Sequence, residues 1–338
     1  MSLMQKVISF IFTLQSFFVI PYASISIPSQ VQKPPDFIPQ FIIISFDGSR
    51  SLPMWQATRD LAKDLKASGA GEVKFTYFIS GVYLIPVNDK NLYQAPKKPR
   101  GLSLIGFADD QDDIIKRVEQ VKLAQSEGHE IGSHANGHFR GFPWNYADWK
   151  LEFDQFRSFT KRAGLNLKLD GFRAPNLSIN SDLFQLLKNE GYRYDASRVG
   201  KIDQWPTKEN NLWEFPLANI TLSGSKNEII SMDYNFFDTQ SQAKDIIKKS
   251  NPLWKKYYDQ IESSYQKYFD HNYQGNRAPV IIGHHFSLWN DGLYFEALKE
   301  FAFNNCVKPE VVCTNFSSLA DYLDTHPEMA SIQPTSLK

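Results

Sequence analysis

Charge of one sign is what this sequence most plainly lacks. Its 338 residues carry 37 Lys and Arg against 37 Asp and Glu, a formal net charge of +0. Binding that rests on neutralising phosphates needs a surplus of cations, so a nucleic-acid partner finds no support, and no acidic tail offers a seat for a polycation. Cysteine is nearly missing: only Cys306 and Cys313 occur. Two thiols without neighbouring histidines do not complete a tetrahedral metal site. With the short stretch Val307 to Val312 between them, and Pro309 within it, they read as a disulfide stapling a surface connection in an oxidising compartment. Repeats of fixed length and internal low-complexity linkers are also missing, which leaves one continuous domain as the simplest organisation.

What is present suits an enzyme-sized globular body. Hydrophobic residues make up 42% of the chain, enough for a substantial core. Most of the aromatic rings belong to that core; Trp144, Trp205 and Trp289 are the ones that a sugar groove could use. At the start, Lys6 precedes the apolar stretch Val7 to Ile20, and Ala23 and Ser24 offer small residues for cleavage. Residues 1–24 therefore read as a signal peptide and 25–36 as a linker, with export to the periplasm or beyond and no stable membrane insertion. Residues 37–328 form the domain and 329–338 a tail. Asn176, Asn219 and Asn315 sit in glycosylation patterns, which matter only in a host that glycosylates.

Strand-like and helix-like segments alternate along the domain. Phe41 to Phe46 reads as a buried strand, Trp55 to Ser68 as a helix, and Val73 to Ile79 as a strand. Tyr83 to Phe107, rich in Pro, Lys and Leu, reads as an insertion. Helical periodicity follows over Asp112 to Ser126, Trp149 to Ala163 and Asp182 to Glu190, the last with Ser181 as N-cap. Ile229 to Met232 reads as a strand, Ser241 to Phe269 as one long helix, and Leu293 to Asn304, Glu310 to Cys313 and Ser318 to Leu323 as the closing units. Such alternation points to an α/β architecture built on a mostly parallel sheet.

The chemistry concentrates in Gly128-His129-Glu130-Ile131-Gly132-Ser133-His134-Ala135-Asn136-Gly137-His138. His134 and His138 have metal-ligand spacing, as two imidazoles one turn apart can converge on a single zinc-type ion. His129 reads as a structural residue of the loop. Three other strand-like runs end in polar groups: Phe41 to Phe46 delivers Asp47, Gly171-Phe172-Arg173-Ala174-Pro175-Asn176 delivers Arg173, and Val280 to Gly283 delivers His284 and His285. In α/β folds chemistry gathers at the carboxyl ends of strands, so these endings can share one site.

In this order, FDG, GHEIGSHANGH, GFRAPN and a late strand ending in histidine resemble the polysaccharide deacetylases of carbohydrate esterase family four. The resemblance runs from Phe41 to Leu323. It implies a distorted (β/α) barrel and a hydrolase that removes acetyl groups from N-acetylated sugars of a cell-wall or extracellular polysaccharide. It further implies a divalent metal, most simply Zn2+, on His134 and His138, an Arg173 that positions the catalytic base, and His285 as general acid, with His284 the alternative one residue away. Asp233 matches the acid that orients this histidine, and Asp195 is the second candidate.

The resemblance departs at its first motif. Two consecutive acids are expected, one a base and the other a metal ligand, but this chain reads Phe46-Asp47-Gly48-Ser49. Asp47 is thus either the base or the third ligand. Asp109, Asp110, Asp112 and Asp113 are nominal substitutes, although acids at a helix start ordinarily serve its N-terminus. Gly48 also motivates an alternative function: an exported carbohydrate-binding pseudoenzyme that has lost hydrolysis.

Overall fold

The computed structural model describes residues 37–332; the expected signal peptide and linker lie outside them. In chain order the first half contains β1 (Gln40–Gly48), α1 (Leu52–Leu65), β2 (Thr76–Ile79), α2 (Gln111–Ser126), β3 (Glu130–Ser133), α3 (Tyr146–Arg162), β4 (Gly171–Phe172), α4 (Ser181–Asn189) and β5 (Tyr194–Asp195). The short strands β6 (Val199–Gly200), β7 (Thr207–Glu209), β8 (Leu212–Glu214), β9 (Leu217–Thr221) and β10 (Glu228–Ile230) follow. The chain closes with α5 (Asp233–Ser241), α6 (Pro252–Gln274), β11 (Val280–His285), α7 (Trp289–Asn305), β12 (Val311–Thr314) and α8 (Phe316–Thr325).

Nine strands form one sheet in the order β11-β1-β2-β3-β4-β5-β8-β7, with β12 also on β1. All pairs in it are parallel except β7 with β8. The small sheet β10-β9-β6 curls this arrangement back on itself. Ser231 N–H donates to the Ala218 carbonyl at 2.8 Å, and Gly283 N–H of β11 donates to the Ser231 carbonyl at 2.9 Å. The result is the distorted (β/α) barrel expected from the sequence.

Side-chain alternation along β1 divides the core. Phe41 and Ile43 pack inside the barrel with Ile281, Leu217 and Phe316. Ile42, Ile44 and Phe46 point the other way, onto a layer that includes Trp55, Leu293 and Leu298 of the helices. Both faces of β1 are buried, which is why its sequence reads as a continuous apolar run. By the same alternation Asp47 falls on the inner face.

Several boundaries differ from the sequence expectation for local reasons. α4 is capped by Asn180, whose side chain accepts from Leu183 N–H, and Ser181 is its first residue. The single helix expected over Ser241 to Phe269 is broken: α5 ends at Ser241 and α6 starts afresh with Asn251 as cap and Pro252 in its first turn, a position that proline's missing N–H suits. The insertion from Tyr83 to Phe107 has no strand or long helix, yet Tyr93 and Ala95 within it are fully buried. Met329 is likewise buried, in the inner core. Cys306 and Cys313 form a disulfide. Among the described residues no helix is long and apolar enough to cross a membrane.

Candidate active site

Asp47, His134, His138 and His285 line one pocket of about 430 Å³ together with Arg140, Asn176, Tyr234 and Met232. The strands explain the convergence. β1, β2, β3 and β4 run parallel and in register, so the residues at or just after their ends reach the same rim. His134 follows β3 directly and donates its backbone N–H to the Ile79 carbonyl at 2.9 Å. β11 lies on the other side of β1, with Asp47 opposite His285.

Asp47 is 3% exposed and held from beneath by Arg173, which is wholly buried. Arg173 Nη1 donates to Asp47 Oδ1 at 3.0 Å and to Ser45 Oγ at 2.8 Å, while Nε donates to the Ala196 carbonyl at 3.0 Å. Its guanidinium lies 4.5 Å from the centre of the Phe78 ring. The carboxylate therefore has a fixed orientation and a buried counter-charge, and its second oxygen has no hydrogen-bond partner among the described residues.

His134 Nδ1 lies 2.8 Å from the Arg173 carbonyl, which can only accept. The proton thus sits on Nδ1, and Nε2 carries the lone pair; this nitrogen is buried and without a partner. A buried imidazole tied by Nδ1–H to a carbonyl, with Nε2 free, is the usual posture of a metal ligand. The His138 ring centre is 5.2 Å from that of His134. Burial holds both imidazoles below their ordinary value, His138 at about 3, so both are neutral donors at pH 7. Ala135 and His138 have φ of 54° and 62°, a conformation that costs a residue other than glycine about 1–3 kcal/mol.

The donor chemistry fits a zinc-type ion at these two histidines. Beyond them the fit stops: among the described residues no group of three or more His, Cys, Asp or Glu side chains could hold a metal. Asp109, Asp110, Asp112 and Asp113 do not line the pocket. Asp110 caps α2 by accepting from Asp113 N–H, and Asp113 pairs with Arg117.

The pair at the end of β11 separates into two roles. His285 Nδ1 is 2.6 Å from Asp233 Oδ1, and its backbone N–H donates to Asp233 Oδ2 at 2.9 Å. Burial pulls this imidazole down, but the Asp233 charge and hydrogen bond outweigh it, and the net shift is upward from 6.5. Burial pushes Asp233 up, and the neighbouring histidines outweigh that and hold it below the ordinary carboxylate value. His284 points the opposite way, as alternation along a strand requires. It is buried beside Phe46 with its Nε2 3.3 Å from Tyr265 Oη, and burial pushes it down to about 4. The structure therefore removes His284 from the pocket. Asp195 is also removed from contention: it binds Ser197 N–H at 2.9 Å and Ser197 Oγ–H at 2.7 Å, and Ser197 Oγ accepts from Ala174 N–H. His129 accepts from Phe75 N–H at Nδ1, a structural use.

Tyr234, Asn176 and Arg140 line the pocket without having been singled out as site residues. Tyr234 directly follows Asp233 and comes 5.8 Å from Trp289, centre to centre, so the neighbours of a motif acid were the available signal. Trp144 and Trp205 are buried in the core and do not line the pocket.

Part of the chain matches a known family, and its fold is similar to that of solved structures. Residues 39–194 match the polysaccharide deacetylase family model, a span that includes Asp47, both pocket histidines of the β3 loop and Arg173. Among solved structures the chain is similar to a Mycobacterium smegmatis protein described as a polysaccharide deacetylase, with a TM-score of 0.53 at 15% identity over 90% of this chain and 96% of that one. It is more distantly similar to a family 4 carbohydrate esterase from Streptomyces lividans in complex with acetate, with a TM-score of 0.41, 12% identity, and 81% and 91% of the two chains covered. A pseudoenzyme of the same family from Bacillus anthracis gives a TM-score of 0.47 at 10% identity over 84% and 66%. The first likeness supports the fold. No curated protein matches the chain by sequence.

Proposed function

We propose that this chain, whose residues 39–194 match the polysaccharide deacetylases, hydrolyses the acetamide of an N-acetylated sugar in a cell-wall or extracellular polysaccharide. The observation that carries the proposal is the Arg173–Asp47 pair facing His134, His138 and His285 in one pocket. His134 and His138 would hold a divalent metal, most simply zinc, which supplies polarisation of the acyl oxygen and a more acidic water. Asp47 takes the proton of the attacking water at the oxygen that Arg173 leaves free. Arg173 keeps that carboxylate aimed and pairs it with a buried cation. His285 gives its proton to the departing amine, and Asp233 keeps the imidazolium available for this by accepting at Nδ1. The two carboxylates thus serve different tasks because their partners differ. The pairing of Asp47 with Arg173 favours the base role over the ligand role for Asp47. Export fits both this substrate class and the Cys306–Cys313 bond.

A second reading has one observation in its favour. Gly48 stands where a further metal carboxylate is expected, and no third ligand converges among the described residues. On that reading the protein binds glycan without cleaving it. Acetate release from N-acetylated oligosaccharides, with and without a chelator, separates the two. Hydrolysis predicts metal-dependent acetate that falls about 10²–10⁴-fold in Asp47→Asn, the usual worth of a positioned base; glycan binding with no acetate from the wild type would rule hydrolysis out.

A further inference from the structure

We infer that Tyr93 and Glu152 are positioning residues for the loop His134 to His138, an inference that rests on the reading of these two histidines as metal ligands. The loop leaves β3 and turns back through two residues of positive φ, Ala135 and His138. Its inward N–H groups belong to Asn136 and Gly137, and both are taken by side chains from elsewhere. Asn136 N–H donates to Glu152 Oε1 at 2.9 Å, and Gly137 N–H donates to Tyr93 Oη at 3.1 Å. The Tyr93 hydroxyl in turn donates to the Glu152 carboxylate, 3.0 and 3.1 Å from its two oxygens. Asn136 Nδ2 adds a bond back to the Glu152 carbonyl at 2.7 Å, and Leu104 N–H from the same insertion as Tyr93 donates to the Gly137 carbonyl at 3.0 Å.

Shape adds an independent argument. A β-carbon at Gly137 would stand 2.6 Å from the Tyr93 ring and 2.7 Å from its oxygen. Tyr93, 44 residues earlier, and Phe139, whose ring would stand 2.9 Å away, together leave no room for a side chain at this position of the histidine motif. Tyr93 and Glu152 are both fully buried and neither lines the pocket. Whatever they contribute reaches the site through the loop alone. Held this way, the turn keeps the His138 ring centre 5.2 Å from that of His134, while His134 is anchored separately by the Arg173 carbonyl.

The test uses Tyr93→Phe, which keeps the ring against Gly137 and removes only the hydroxyl. Its control is Tyr194→Phe, which breaks a comparable buried pair at the far end of β3, where Tyr194 Oη–H donates to Glu130 at 2.8 Å. Zinc affinity is measured on the metal-free full-length protein by competition with a chromophoric chelator, and thermal unfolding is followed on the same samples. Both variants should unfold at lower temperature. Only Tyr93→Phe should lose zinc affinity, by about tenfold or more, as residues that orient metal ligands do. Should Tyr93→Phe fail to fold, Glu152→Gln provides the same comparison and should weaken zinc in the same direction. Wild-type affinity in the folded variants overturns the positioning role. A wild type that takes up no zinc overturns the ligand reading itself, and this inference with it, a result distinguishable from the first because it needs no variant.

Discussion

The chemistry of the pocket is set by which partner each ionisable side chain was given. Asp47 and Asp233 are both buried carboxylates on or beside the same strand pair, yet one faces a permanent cation and the other a titrating imidazole. This has a consequence in pH. His285 must be protonated to serve the leaving amine, so turnover falls as pH rises through its pKa, which Asp233 holds above 6.5. In Asp233→Asn the charge is gone and burial remains, so the basic limb of kcat/KM should move to lower pH; a limb that stays in place would separate His285 from the acid role. Gly48 is informative in a different way. Its φ is 111°, a conformation that an L side chain resists, so the missing acid accompanies a backbone that favours glycine. Gly48→Ala should cost about 1 kcal/mol in chemical denaturation. Asp47, His134, His138 and Arg173 were legible in the sequence because each lies in a short contiguous motif at a strand end. The choice between His284 and His285 was not, because an apolar strand buried on both faces carries no alternation from which to read its inner side.

At the scale of elements, the strands aim the residues and the segments between them hold the aim. The parallel register of β1 with β11 sets Asp47 across from His285, and that pairing joins residues too distant in sequence for any local pattern to reveal. Helix positions were largely legible from periodicity, while caps and breaks followed from side chains whose partners are remote. Asn180 shows how much one cap can do. Besides accepting from Leu183 N–H, it donates to the carbonyls of Phe142 and Trp144 and accepts from Trp149 Nε1, tying α4 to the chain that follows the histidine loop. Asn180→Ala should therefore cost more than a simple cap, about 2 kcal/mol or above, by equilibrium unfolding; a loss of a few tenths would show that these bonds are replaced by water. The insertion from Tyr83 to Phe107 illustrates the limit of reading by composition. Its prolines and lysines mark it as irregular, and no residue of it lines the pocket. Its Tyr93 lies behind the histidine loop because a single buried hydroxyl found Glu152 on α3.

At the scale of the whole molecule, one barrel brings together residues from its first strand to its eleventh, and the family match covers only the first part of that set. The acid side of the pocket, Asp233 and His285, comes from the remainder of the chain and is joined by the curl of the sheet at Ser231 and Gly283. The Cys306–Cys313 bond closes a loop of sequence separation 7 between α7 and β12. Loop-closure entropy gives such a link about 2–3 kcal/mol, so reduction should lower the unfolding temperature without abolishing the pocket, as followed by acetate release in the presence of a reductant. The proposed chemistry rests on a metal held by His134 and His138, with Asp47 as base. It is tested most directly by measuring bound zinc and acetate release on the same samples of wild type, His134→Ala and Asp47→Asn. The expected result is zinc and acetate in the wild type, neither in His134→Ala, and zinc without acetate in Asp47→Asn. Loss of zinc from Asp47→Asn would contradict it by making Asp47 a ligand, and a wild type with neither zinc nor acetate would leave a glycan-binding barrel in place of an enzyme.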